Sequence, residues 1–455
     1  MNRLISEPVP GLVRELAIPA SVGMFLNTMY NVVDTWYAGR YDTDALAALS
    51  LTFPIFFILL ATGIGMSSGS TALIGNALGR GARREAALIA SQGVVMGWMI
   101  VGLMVAAGYV WGPAAYRFLG AEGEYLQMCV DYLNIILPGS VFVFTFYMFN
   151  APLNAMGDTR AFRDFLLGAT LANIILDPML MYGWLGLPEM GIKGIALATV
   201  IAQCGGMIFL GLRARRTGLL WRSEGARWAP DWKVLKAIAE QGVPSSLNMM
   251  AVAVGVFVIT YFLSDFGKNA VAAYGAATRI EQIVLLPALG LNVAALSLTA
   301  QNFGALKFGR IREVAQTAVK YGAFLMMIGT VLLFFGSGFL MRLFTPDPEV
   351  VAIGSYYLRI AAFLEFSYVV LFVNTSVLQG LKKPNFGFFI GAYRQLVMPI
   401  LLFTLFTRVL DLGLPSIWWG IFGINWSAAV IAFWWARRQL GKLEDHPDPL
   451  EEVQA

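Results

Sequence analysis

The chain has 455 residues, 58% of them hydrophobic and only 13% charged, with a formal net charge of +4. A soluble globular chain carries about 25% charged residues, so this composition excludes an ordinary soluble enzyme, and the small positive charge gives no nucleic-acid surface. The only histidine, His446, stands in a polar tail, and Cys129 and Cys204 stand in apolar segments. The sequence therefore offers no histidine for catalysis within the membrane, no disulfide framework and no Cys-x-x-Cys metal spacing.

About 20 apolar residues cross a bilayer as a helix. Spans are predicted near 12–38, 46–76, 86–113, 127–150, 161–184, 192–215, 234–264, 270–300, 313–340, 351–377, 386–409 and 416–437. Only Met1 to about Pro10 precede the first, without the plan of a signal peptide, so it is read as a retained span. Arg80, Arg83, Arg84, Arg160, Arg163, the stretch from Arg213 to Lys236, Lys307, Arg310, Lys382, Lys383, Arg437, Arg438 and Lys442 collect on one side. The positive-inside rule makes that side cytoplasmic. Both termini then lie in the cytoplasm of a bacterial or archaeal cell, in the inner membrane.

A repeat organises the chain. Pro19 matches Pro244, a shift of 225 (244 − 19), and Gly65 and Gly290, Gly79 and Gly304, Arg117 and Arg342, Glu124 and Glu349, and Tyr132-Leu133 and Tyr357-Leu358 match at the same shift. The predicted fold is thus all-α and polytopic, with twelve transmembrane helices in two six-helix lobes. Residues 1–216 form the first lobe, 217–232 a cytoplasmic linker, 233–440 the second lobe and 441–455 an acidic tail. An even number of spans per repeat gives both lobes one orientation, which points to the lobe interface for a substrate cavity.

Asp34, in Asn31-Val-Val-Asp34-Thr-Trp36, lies inside the first span. An acid at a helix centre in a bilayer costs at least roughly 2.5–3.5 kcal/mol, so it marks a functional site by default. Its repeat partner is Ile259, and Asp177 likewise maps to Leu402; the acids belong to the first lobe alone. Asn173 and Asp177 are four apart, stacked on one helix face. Pro178 has no N–H and frees carbonyls near Ile174. A carboxylate, an amide oxygen and a freed carbonyl suit either a hard cation such as Na⁺ or a protonatable acid. The plain alternative is that these residues only hydrogen-bond neighbouring helices.

Asn150 and Tyr132 lie on the fourth span, and Tyr132, with its partner Tyr357, reads as an interfacial aromatic anchor. Arg279 and Glu281 are two apart and do not face each other on a helix. Each needs another partner, with Glu365 and Arg394 as candidates for a structural charge network. Gly65 and Gly69 form a small-residue packing face. No Walker sequence occurs.

Asn-Val-Val-Asp34-Thr-Trp-Tyr-Ala-Gly, Leu-Gly79-Arg-Gly and Gln301-Asn302-Phe-Gly304-Ala resemble the multidrug and toxic compound extrusion (MATE) transporters, over essentially the whole chain. Within that family the chain resembles the DinF-like branch, in which first-lobe acids couple transport. The resemblance implies a cation-coupling site of Asp34, Asp177 and Asn173, supported by Tyr132, Asn150 and Thr199. Glu281, Glu365 and Arg279 stand as secondary candidates. It implies a secondary antiporter, not an enzyme, that exports amphipathic or cationic organic compounds in exchange for H⁺ or Na⁺, with no cofactor and as a monomer. Pro19 and Pro244 are candidate bending points. The other plan in the wider superfamily, a flippase for lipid-linked oligosaccharide, calls for several arginines at the cavity; the intramembrane bases here are chiefly Arg279, Arg359 and Arg394.

Overall fold

The computed structural model describes residues 2–221 and 223–444; the acidic tail from Asp445, with His446, lies outside them. The chain folds as α1 (Val9–Tyr41), α2 (Thr43–Gly79), α3 (Arg83–Phe118), α4 (Gly123–Ala155), α5 (Arg160–Met181), α6 (Ile192–Arg216), α7 (Trp232–Ser264), α8 (Lys268–Gly304), α9 (Phe308–Arg342), α10 (Pro348–Ala361), α11 (Leu364–Gly380), α12 (Asn385–Val409) and α13 (Pro415–Glu444). Short 3₁₀ turns at Arg3–Ile5 and Trp184–Gly186 complete it, and no strand occurs among the described residues. Among the described residues eleven helices are long and apolar enough to cross a membrane, and the bent pair α10 and α11, counted together as one span, brings the number to twelve.

Hydrocarbon offers no hydrogen bonds, so the backbone of a span must bond within itself. Polar side chains inside the spans follow the same rule. Thr28, Asn31, Thr35 and Thr62 each donate to the carbonyl four residues back. The tenth span, expected as one helix over 351–377, is broken at Ala362–Phe363 with a 49° bend. The break leaves carbonyls without helical partners, and Thr330 of α9 donates to Ala362 O at 2.6 Å. In α12, Pro399 cannot donate to the carbonyl of Gln395, and the helix widens to a π turn over Tyr393–Val397 just before it.

The chain packs as two compact units, one from Val22 to Ser246 and the other from the chain start to Ser21 together with everything from Leu247 onward. The divisions fall inside α1 and α7, just past Pro19 and Pro244, and not in the linker. Within the first unit the root of α7 lies on α2: Ser246 Oγ donates to Thr62 O at 3.2 Å, and Gly65 faces the Ser246 backbone. Within the second unit the root of α1 lies on α8 in the same way. Ser21 Oγ donates to Pro287 O at 3.3 Å, and Gly290 faces Ser21. Every residue of one set is 225 from its counterpart in the other. The segments leading into the roots are held alike. Asn302 Nδ2 donates to Leu4 O at 3.2 Å in the second unit, and Gln92 Nε2 to Ala229 O at 2.9 Å in the first; those two carbonyls are also 225 apart.

The close approach explains the small residues. A Cβ at Gly69 would stand 2.6 Å from Gly242 N, a backbone atom that cannot turn aside. Gly69→Val is therefore expected to lower stability by about 1–3 kcal/mol, the usual cost of overpacking, in thermal unfolding of purified protein. Gly102→Ala, where nothing lies within 4 Å, is the control and is expected to leave the transition unmoved.

Candidate functional site

Three helices of the first unit bring the acids together. Asp34 comes from α1, Asn173 and Asp177 from α5 and Thr199 from α6, and all four are buried. Asn173 Nδ2 donates to Asp177 Oδ1 at 3.1 Å, and Thr199 Oγ1 reaches Asp34 Oδ2 at a long 3.4 Å. The Asp34 and Asp177 carboxyls lie near enough for their charges to interact. Asp34 Oδ1, Asp177 Oδ2 and Asn173 Oδ1 nevertheless have no donor. No lysine or arginine is among the groups that act on either carboxyl. Two unpaired anions side by side in a dry interior are untenable. A proton between the carboxyls, or a cation among the bare oxygens, removes the conflict.

Pro178 does what its chemistry requires. Lacking an N–H, it leaves Ile174 O without its helical partner, and Tyr37 of α1 donates its hydroxyl to that oxygen at 3.0 Å. The freed carbonyl thus ties α5 to α1, with a donor of its own.

A small cavity of about 40 Å³ lies within the first unit. Its walls are Phe56, Leu60, Phe146, Tyr147, Phe162 and Phe165, with Asn27, Asn31 and Gln203 as the polar groups and no charged residue. Tyr30 joins cavity and acids. It lines the cavity, and its buried hydroxyl, which has no hydrogen-bond partner, is near enough to Asp34 to feel its charge. Tyr30 and the aromatic wall escaped the sequence reading. The signal was one of spacing: Tyr30 precedes Asp34 by four, on the same helix face.

The remaining predicted residues divide. Tyr132 is buried and close to both acids, which overturns its reading as an interfacial anchor; its partner Tyr357 is buried too. The Tyr357 hydroxyl donates to Glu281 of its own unit, and a ring buried in protein does not stand at a membrane interface. Asn150 is buried with its amide oxygen unpartnered, and no hydrogen bond joins it to Asp34 or Asp177.

In the second unit, Glu281 Oε2 accepts from Tyr357 Oη at 2.7 Å, and Arg394 lies close enough to act on its charge. Arg394 donates to Asn425 Oδ1 at 3.0 Å and covers the Tyr368 ring at 5.5 Å. Glu365, in the first turn of α11 where a helix N-terminus favours negative charge, is fully buried with neither oxygen bonded. Arg279 is exposed and is not brought to this cluster. Tyr357→Phe removes the donor to a buried carboxylate and is expected to cost about 1–3 kcal/mol in thermal unfolding. Tyr261→Phe, at an exposed ring, is expected to cost nothing measurable.

One family model, MatE, matches residues 19–179 and again 244–404, a repetition at the offset of 225. The chain is 29% identical to the probable multidrug resistance protein YoeA of Bacillus subtilis, over 81% of this chain and 80% of that protein. It is 27% identical to the probable multidrug resistance protein NorM of Thermotoga maritima, over 83% and 82%. It is 26% identical to a FAD transporter of Shewanella oneidensis, over 82% of each. Among solved structures it superposes on an outward-facing multidrug resistance MATE transporter with a TM-score of 0.90 at 23% identity, over 98% of this chain and 99% of that one. It superposes on a MOP-superfamily transporter from Pyrococcus furiosus with a TM-score of 0.89 at 22% identity, over 97% and 98%. With both halves of the repeat matched by one model, this multi-pass membrane protein belongs to the MatE family, which is made of transporters and not enzymes.

Proposed function

We propose that this protein is a secondary antiporter of the DinF-like branch. It exports amphipathic organic compounds, cationic ones among them, from the cytoplasm in exchange for H⁺. It sits in the inner membrane as a monomer with both termini cytoplasmic. The observation that carries the reading is the Asp34–Asp177 pair, buried without a base and adjoining, through Tyr30, an aromatic cavity.

The outside-facing state exposes the pair to water, and a proton enters between the carboxyls. Neutralisation removes the cost of unpaired charge near hydrocarbon and lets α1 shift about the Pro19 region. Tyr30 moves with α1 and takes part of the cavity wall with it, which releases the substrate. By reciprocity, a bound substrate weakens proton binding by the same factor. Thr199 and Tyr132 orient the pair, while Asn150 extends the polar surface of α4. Sodium is the second reading: the three bare oxygens of Asp34, Asp177 and Asn173 are of the type a hard cation takes. The cavity holds no arginine for a phosphate-bearing headgroup, which weighs against lipid-linked oligosaccharide flipping.

In proteoliposomes, Asp34→Asn is expected to reduce gradient-driven efflux to the protein-free background; undiminished, still coupled efflux would overturn the assignment. A pH gradient without sodium is expected to drive transport, and transport driven only by a sodium gradient would select the sodium reading. Tyr30→Ala is expected to weaken substrate binding about 2- to 10-fold, the worth of one aromatic contact, as read by fluorescence titration.

A further inference from the structure

Five bases stand on the α11–α12 corner and on the end of α13. Lys382 and Lys383 occupy the corner, and Arg437, Arg438 and Lys442 lie on the last turns of α13. Lys383 donates to Gln439 Oε1, which brings its ammonium beside that of Lys442. Burial, and then the Lys442 charge, hold the Lys383 pKa below the ordinary lysine range. Among the described residues no carboxylate pairs with Lys383, Arg437, Arg438 or Lys442, although exposed arginines and lysines elsewhere find one. Like charges pressed together without a counter-ion attract an anion.

Beside this cluster a shallow groove, open to the surroundings, runs along α13, formed by Val430, Ile431, Trp434, Trp435, Arg437 and Arg438 of that one helix. Their spacing places them on one helix face. The groove is apolar at one end, indole-lined in the middle and cationic at the other. Trp435 is fixed by stacking on Phe386 of α12, with ring centroids 5.8 Å apart and planes 13° from parallel. That contact sets the groove against the corner carrying Lys383. A phospholipid has the same sequence of properties along its length, and indoles favour the headgroup level. Anionic headgroups are drawn to basic clusters at the end of a span.

We infer that the end of α13 and the α11–α12 corner form a binding site for an anionic phospholipid. Its phosphate lies among Lys383, Arg437, Arg438 and Lys442, and an acyl chain lies along Val430, Ile431 and Trp434. Charge complementarity selects this occupant over a zwitterionic lipid.

Full-length protein in phosphatidylcholine nanodiscs, with and without phosphatidylglycerol, tests it through the unfolding midpoint and through lipids retained in native mass spectrometry. Phosphatidylglycerol is expected to raise the midpoint and to stay bound. The triple variant R437Q/R438Q/K442Q, and separately W434A, whose ring is 64% exposed, are expected to retain it at least about fivefold less. The distant variant R80Q/R84Q is expected to behave as wild type. Equal retention in all of these would overturn the inference. So would retention that appears only when the acidic segment after Leu443 is removed, because the full chain would then fill the site with its own carboxylates.

Discussion

Hydrocarbon supplies no hydrogen bonds, and most of this structure answers that one lack. It makes every long element a helix. It sends the hydroxyls of Thr28 and Thr35 back to their own carbonyls. Where the ladder fails, a side chain steps in: Thr330 at the break between α10 and α11, and Tyr37 above Pro178. The same lack isolates what has no partner. Asp34, Asp177 and Asn173 keep bare oxygens in a packed interior, the feature on which the proposed coupling site rests. The backbone is satisfied by protein, and these side-chain oxygens are not.

The two repeats share a skeleton and differ in where they put charge. Asp34, Asn173 and Asp177 correspond to Ile259, Met398 and Leu402, while Glu281 and Arg394 correspond to Phe56 and Ala169 of the cavity wall. Each unit therefore keeps acids at positions where the other is apolar. Neither first-unit acid forms an ion pair among the described residues; in the second unit the Arg394 charge acts on Glu281 without a direct salt bridge. A site with a built-in counter-ion is suited to holding a structure, and one without is suited to exchanging charge.

Much of the fold was legible from the sequence. The offset of 225 could be read from single residues and recurs in the match of the MatE family model. Hydropathy marked the spans, since a bilayer makes apolar length compulsory. It did not mark the break in the tenth span, because Ala362 and Phe363 are as apolar as their neighbours and the bend depends on Thr330 of another helix. Asp34, Asn173 and Asp177 stood out because acids and amides are expensive there. Tyr30 and the aromatic wall did not, because in a chain with 32 phenylalanines and 16 tyrosines a cavity ring and a lipid-facing ring read alike. Burial, and not composition, also separated Arg279 from Arg394.

The hydrogen bond from Tyr37 to Ile174 O carries a consequence for how the protein moves. Both ends belong to segments flanking the acids, and the carbonyl has no second protein donor in its own helix. When α1 slides or turns away from α5, that oxygen is left naked in a medium that penalises it, and water is the replacement at hand. Displacement of α1 and wetting of the α5 surface next to Asp177 are then one event. In the proton-coupled antiport proposed above, the path of the proton to the carboxyls need not be a standing channel; it can be opened by the same step that the proton's arrival stabilises.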